Sequence, residues 1–240
     1  MPRTGLLLYP HSPETRQEVA VKARFEEIIT TWGRLCELNK LSTQKVSNNS
    51  IDHIDEVCRR FIAASSFVLV ASRGPDGRLD LSPKGDPAGF VAVLDEKTLA
   101  IPDRLGNNRL DTFENLLAHP EVGLFFIIAG HEDTLRVSGK GWIVRDSSLQ
   151  SRFKVNGRAP NLVLVVSVEE AFMHCPKCMI RSSLWNYALW PIQADVATFA
   201  EAKVAHGALS KKRAPEMQAL IDDVAQASGA NVTTLRRKRR

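Results

Sequence analysis

Residues 66–168 carry no apolar run of helix length, only short strand-like segments broken by tight turns. Phe67-Val68-Leu69-Val70-Ala71 meets the turn Gly74-Pro75-Asp76-Gly77, and Arg78-Leu79-Asp80-Leu81-Ser82 follows with apolar and polar residues alternating. That is a hairpin signature. Residues 89–94 and 98–101 flank Asp95-Glu96-Lys97 as a second hairpin. Residues 110–118 read as a short amphipathic helix stopped by Pro120. Residues 122–128 and 134–144 are longer strands, the latter alternating through Leu135, Val137, Gly139, Gly141 and Ile143, and residues 162–168 add another. Short strands, tight turns and few long helices predict an antiparallel barrel rather than a parallel α/β sheet.

The flanks read as helix. Residues 14–32 place Val19, Ala23, Phe25, Ile28 and Ile29 near helical spacing. Residues 51–64 do so with Ile54, Val57, Cys58, Phe61 and Ile62, and a polar loop, 42–50, lies between. Helix returns from residue 169, with 196–206 and 215–227 as surface-packing helices. The expected division is a helical extension over 1–64, the barrel over 65–190, a helical extension over 191–235 and a basic tail over 236–240.

Charge belongs mainly to that tail. The chain has 240 residues and a formal charge of +5, from 32 Lys and Arg against 27 Asp and Glu. The last five residues are all basic, so the remainder balances at 27 against 27. A solvated tail is expected, and a nucleic-acid partner is not. Leu6-Leu7-Leu8-Tyr9 is too short for a signal segment, and the apolar runs are far shorter than a membrane span. With four cysteines and no export signal, a cytoplasmic location with free thiols is expected.

Two loops carry the chemistry. Ser82-Pro83-Lys84-Gly85-Asp86 ends a strand, and a hydroxyl and an ammonium two residues apart share one side of it, able to meet one anion. Ile101-Pro102-Asp103-Arg104-Leu105-Gly106-Asn107-Asn108-Arg109-Leu110-Asp111 reads as a strand end, a polar loop and a helix start. Cations at a helix N-terminus suit a phosphate, because free N–H groups and the helix dipole add to the side chains. The alternatives are a solvated Lys84 in a turn, and Asn108 or Asp111 as a plain N-cap. On the strand beyond, Thr134 and Arg136 line a polar face opposite Leu135 and Val137.

With these motifs quoted, the chain resembles the pyridoxamine 5'-phosphate oxidase-like superfamily of FMN-binding split barrels, and within it a bacterial branch of FMN-dependent enzymes. Further matching segments are Phe61-Ile62-Ala63-Ala64-Ser65-Ser66-Phe67, Glu132-Asp133-Thr134-Leu135-Arg136-Val137-Ser138-Gly139, and His174-Cys175 followed by Arg181-Ser182-Ser183-Leu184-Trp185. The resemblance implies a six-stranded antiparallel split β-barrel with flanking helices, mainly β, working as a homodimer with FMN at the interface. It places the phosphate on Lys84 and Arg109 with Ser82 and Asn108 assisting, and groups Asp103, Arg104, Asn107 and Arg136 with the site. It sets Thr134 against the flavin ring, where the oxidase proper has Gln, and brings Arg181 and Trp185 from the partner subunit, with Trp185 as interface core the alternative. The arginine-containing motif by which the oxidase proper binds its substrate's phosphate has no counterpart here. The expected function is an FMN-dependent oxidoreductase moving a hydride between a small organic substrate, or a reduced nicotinamide, and the flavin. The alternative is a non-catalytic flavin- or haem-binding module of the same fold. His174-Cys175-Pro176-Lys177-Cys178 is read as packing or flavin-proximal, with Cys178 incidental and no metal expected; a zinc site and a redox dithiol are the alternatives, against which stand the lack of a second Cys/His pair nearby and of a thioredoxin-like βαβ context.

Overall fold

The structure is a computed structural model that describes residues 20–39, 49–104, 109–191, 196–207 and 219. Residues 42–48 of the loop expected at 42–50, all but residue 219 of the helix expected at 215–227, and the basic tail lie outside the described residues, as does the start of the helix expected from residue 14. The chain divides into two compact units, residues 1–48 and 49–240.

In the first unit residues 20–22 are helical, and a further helix, α1, spans Trp32–Leu38. Residues 27–30 are not helical, which departs from the helix expected across 14–32. The β-branched run Ile28, Ile29, Thr30, Thr31 weakens helix there, and Thr31 acts as N-cap, accepting from the Arg34 N–H at 3.3 Å.

The second unit is built on one antiparallel sheet. Its elements are β1 (Ser50–Ile51), α2 (Glu56–Ala64), β2 (Phe67–Arg73), β3 (Leu79–Gly85), β4 (Ala92–Asp95), β5 (Thr98–Pro102), α3 (Asp111–Ala118), β6 (Glu121–Ile127), β7 (Thr134–Val144), α4 (Ser147–Arg152), β8 (Val163–His174), α5 (Lys177–Ser182) and α6 (Phe199–His206). Strand order is β3-β2-β6-β7-β8-β5-β4, with β1 paired to β8. The fold class is the one the turns and alternation predict. The strand count is eight rather than six, because every strand-like segment pairs and Ser50–Ile51 adds to β8.

One face of the sheet holds the core. Val68, Val70, Leu124, Phe126, Leu135 and Val137 close it together with Ile54, Cys58, Phe61 and Ile62 from α2 and its approach. Helix α2 begins later than sequence periodicity predicts. Asp55 caps it, its carboxylate accepting from the Cys58 N–H at 2.8 Å. The β2–β3 turn needs Gly77, whose φ of +83° is strained for residues with a side chain.

Strand β8 also runs beyond expectation. Residues 169–174 are strand rather than helix, because they pair with β7 on one side and β1 on the other. The ladder absorbs a bulge between Ser138 and Gly139. A Cβ on Gly139 would lie 1.9 Å from the Ser167 carbonyl oxygen, so the bulge admits only glycine.

Candidate functional site

Register sorts the candidate residues into two sets. Cross-strand partners point to the same side of an antiparallel pair. Ser82 lies opposite Val70, and Lys84 opposite Val68. Both valines are fully buried, so Ser82 and Lys84 project from the core-facing side of β3, an edge strand, where each is half-buried. Thr134 and Arg136 alternate with buried Leu135 and Val137 and therefore share the other side.

Around Lys84 the first set gathers charge. Asp103 follows β5, its N–H donating to the Leu162 carbonyl at 3.0 Å. Burial pushes its carboxyl above the ordinary range, against the opposing pull of the Lys84 ammonium. Arg104 is committed to the scaffold. Its Nε donates to Asp86 Oδ2 at 2.6 Å and its guanidinium to the Phe153 carbonyl at 2.7 Å. That bridge joins the end of β3, at one edge of the sheet, to the loop after β5, beside the other edge.

Arg109 stands where the chain enters α3. Its Nε donates to Asp111 Oδ2 at 2.7 Å. Asp111 and Glu114 occupy the first turn, and the N-cap is Leu110, which has no side-chain cap bond. The N-cap is thus neither Asn108 nor Asp111. Asn107 and Asn108 lie outside the described residues.

The second set surrounds Thr134. Thr134 is 1% exposed, and its hydroxyl has no hydrogen-bond partner among the described residues. Opposite it in register stands His174, whose Nδ1 is also buried without a partner among them. Two adjacent orphan polar groups are costly in a folded chain, which makes them candidates for a group supplied from outside it. Arg136 lies over the Phe172 ring at 5.7 Å from its centroid. Trp185 is half-buried, and its indole N–H donates to the His131 carbonyl at 2.7 Å, three residues before Thr134. Arg181 is exposed on α5. A depression of about 510 Å³ runs along residues 182–191, lined by Trp185, Leu189 and Trp190 among others, and does not include Lys84.

Lys84 and Thr134 stand at neighbouring register positions, at the same end of their strands but on opposite sides of the sheet. Lys84 and Thr134 stand on strands separated by β2 and β6. Three strand spacings put them about 14 Å apart. The sequence leaves His174 as either a packing or a flavin-proximal residue and does not pair it with Thr134. Its signal was positional, for β8 must extend to residue 174 before it can face Thr134.

Apart from Arg181 and Trp185, the candidate residues fall within one segment that a family model matches. A sequence model described as Pyridoxamine 5'-phosphate oxidase matches residues 54–175. No curated protein sequence matches the chain. Among solved structures, HupZ of Group A Streptococcus is similar at 17% identity and a TM-score of 0.41, over 50% of this chain and 93% of that one. A protein of Lactobacillus delbrueckii assigned as a pyridoxamine 5'-phosphate oxidase is similar at 20% identity and a TM-score of 0.41, over 51% and 95%. An FMN-binding protein of Syntrophomonas wolfei is similar at 11% identity and a TM-score of 0.39, over 49% and 83%.

Proposed function

Because the chain belongs to the pyridoxamine 5'-phosphate oxidase family, shown by the match over residues 54–175, we propose that it is an FMN-dependent oxidoreductase acting as a homodimer. The observation that carries this reading is the orphaned buried pair Thr134 Oγ1 and His174 Nδ1, with the cations Lys84 and Arg109 elsewhere on the same unit. A flavin mononucleotide asks for two different environments, a polar contact for its ring and cations for its phosphate, and the donor set here fits both.

Lys84 and Arg109 would hold the phosphate, with the Ser82 hydroxyl donating a further hydrogen bond. Asp103 would keep the Lys84 ammonium in place. Arg104 would brace the loop through Asp86 rather than touch the ligand. Thr134 and His174 would orient the ring edge, and Arg136 would set the charge beside it.

Opposite sides of one sheet cannot converge on one ligand. A second copy, packed against the side of the sheet that carries Thr134 and Arg136, would bring that set to the Lys84 set of its partner. Leu79 and Leu81, exposed on the same side of β3, are suited to such packing. Arg181 and Trp185 would travel with the Thr134 set.

Bound FMN supplies the hydride-accepting and hydride-donating centre, while the protein supplies binding, orientation and exclusion of water. The substrate class is a small organic molecule or a reduced nicotinamide. The test is optical. Purified protein loaded with FMN should bleach on anaerobic addition of reduced nicotinamide or a substrate candidate, and recover its flavin bands in air. Flavin that stays oxidised with every donor would support a non-catalytic flavin-binding module, and protein that refuses FMN would overturn both flavin readings.

A further inference from the structure

We propose that Cys175 and Cys178 form a thiol–disulfide exchange site, a dithiol that a low-molecular-weight disulfide oxidises to an internal disulfide and a dithiol reductant restores. The sequence alone leaves Cys175 as a packing or flavin-proximal residue and Cys178 as incidental, with a redox dithiol an alternative. The structure places both thiols in solvent instead, each exposed and free. They flank Pro176, whose φ of −73° and ψ of −5° begin the turn into α5. Residues three apart across such a helical first turn have Cα atoms about 5–6 Å apart. A disulfide needs about 4.4–6.8 Å, so the pair can close without unfolding either element.

The surroundings favour thiol exchange over metal binding. No group of three His, Cys, Asp or Glu residues able to hold a metal ion occurs among the described residues, so His174, Cys175 and Cys178 do not make a ligand set. The other cysteines contrast with this pair. Cys58 is 3% exposed in the core, its thiol pushed up to about 12 by burial and by Asp55. Cys36 is partly buried on α1, in the other compact unit. Helix α5 is itself anchored, with Met179 buried and Ser183 closing it in the left-handed region at φ 51°.

The chemistry balances. A thiolate sulfur of the pair attacks one sulfur of the external disulfide, forming a mixed disulfide and releasing one thiol. The second cysteine then attacks the protein-bound sulfur of that bond, closing the internal disulfide and releasing the second thiol. The pair loses two electrons and two protons, and one external disulfide becomes two thiols. The new bond ties the residue after β8, next to His174, to the first turn of α5.

The experiment uses the full chain, reduced and then incubated with oxidised glutathione, alkylated and mapped by mass. A neighbouring thiol acts at an effective concentration of millimolar order, so with reduced glutathione held at roughly a tenth of a millimolar beside the oxidised form the internal bond should outnumber the mixed disulfide about tenfold. The expected product is a Cys175–Cys178 bond that dithiothreitol reverses, with Cys58 untouched until the chain is unfolded. Cys175→Ser and Cys178→Ser should each hold glutathione as a lasting adduct on the remaining cysteine, while Cys36→Ser should still form the internal bond. Thermal melts of each variant establish that it is folded. Persistent mixed disulfides in the unaltered protein, a bond to Cys36, or stoichiometric zinc that blocks oxidation would overturn the proposal.

Discussion

Replacing Arg104 by Met tests whether that arginine is scaffold or ligand contact. Its side chain is 29% exposed and that of Asp86 is 17% exposed. The substitution removes two charge-assisted hydrogen bonds, to Asp86 at 2.6 Å and to the Phe153 carbonyl at 2.7 Å. Such bonds contribute about 1.5–3 kcal/mol each. Both groups retain some solvent, so the lower value applies, and the loss is about 3 kcal/mol. For a chain of this size each kcal/mol moves the melting temperature by about 2–4 °C, giving a drop of about 6–12 °C by calorimetry. Much of the loss comes from leaving Asp86 unpaired. The double variant Arg104→Met with Asp86→Leu should therefore recover most of it. FMN affinity of the folded variant should stay within about threefold of the unaltered protein, an energy difference of under 1 kcal/mol. An unchanged melting temperature with a large loss of FMN affinity would refute this assignment and place Arg104 on the ligand.

Three other outcomes follow from local geometry. Gly139→Ala forces a Cβ onto the Ser167 carbonyl and should cost more than about 3 kcal/mol, seen as a shifted urea midpoint or failure to fold. Asp55→Ala removes the α2 cap and should cost about 1 kcal/mol near neutral pH. The bond from the Cys58 N–H is the largest cause holding Asp55 below the usual carboxylate range, so the difference between variant and parent should disappear as acid protonates Asp55, in melts taken from pH 7 downward. Asp103 has the opposite sign. Burial raises its folded-state value, so the native state binds the proton more tightly, and its ionisation opposes folding above the ordinary aspartate range. Asp103→Asn should therefore match or exceed the parent in stability at neutral pH, with the advantage shrinking as pH falls through that raised range.

What the sequence revealed and what it concealed divide along physical lines. The hairpin at 74–77 was legible because Gly and Pro at a turn announce themselves locally, and β7 because alternation is a local pattern. The run from Glu169 to His174 was not, since polar residues mask its strand character and only pairing with β7 and β1 makes it a strand. The bulge at Gly139 reads as ordinary alternation until the partner strand is present. At the site, the Ser82 and Lys84 spacing was readable from the period of a strand. The commitment of Arg104 to Asp86 was not, because it joins loops 18 residues apart. Nor was the facing of Thr134 by His174, which depends on the register of two long strands. The division of the candidates between two sides of the sheet came from register alone.

The central claim is that Lys84 and Arg109 hold the phosphate of FMN. Titrating FMN into flavin-free protein, and into the Lys84→Ala/Arg109→Ala double variant, measures it directly through quenching of flavin fluorescence. Two charge-assisted contacts of about 1.5–3 kcal/mol each predict an affinity about 100- to 10,000-fold weaker in a variant that still melts cooperatively. Equal affinity in the two proteins would contradict the account.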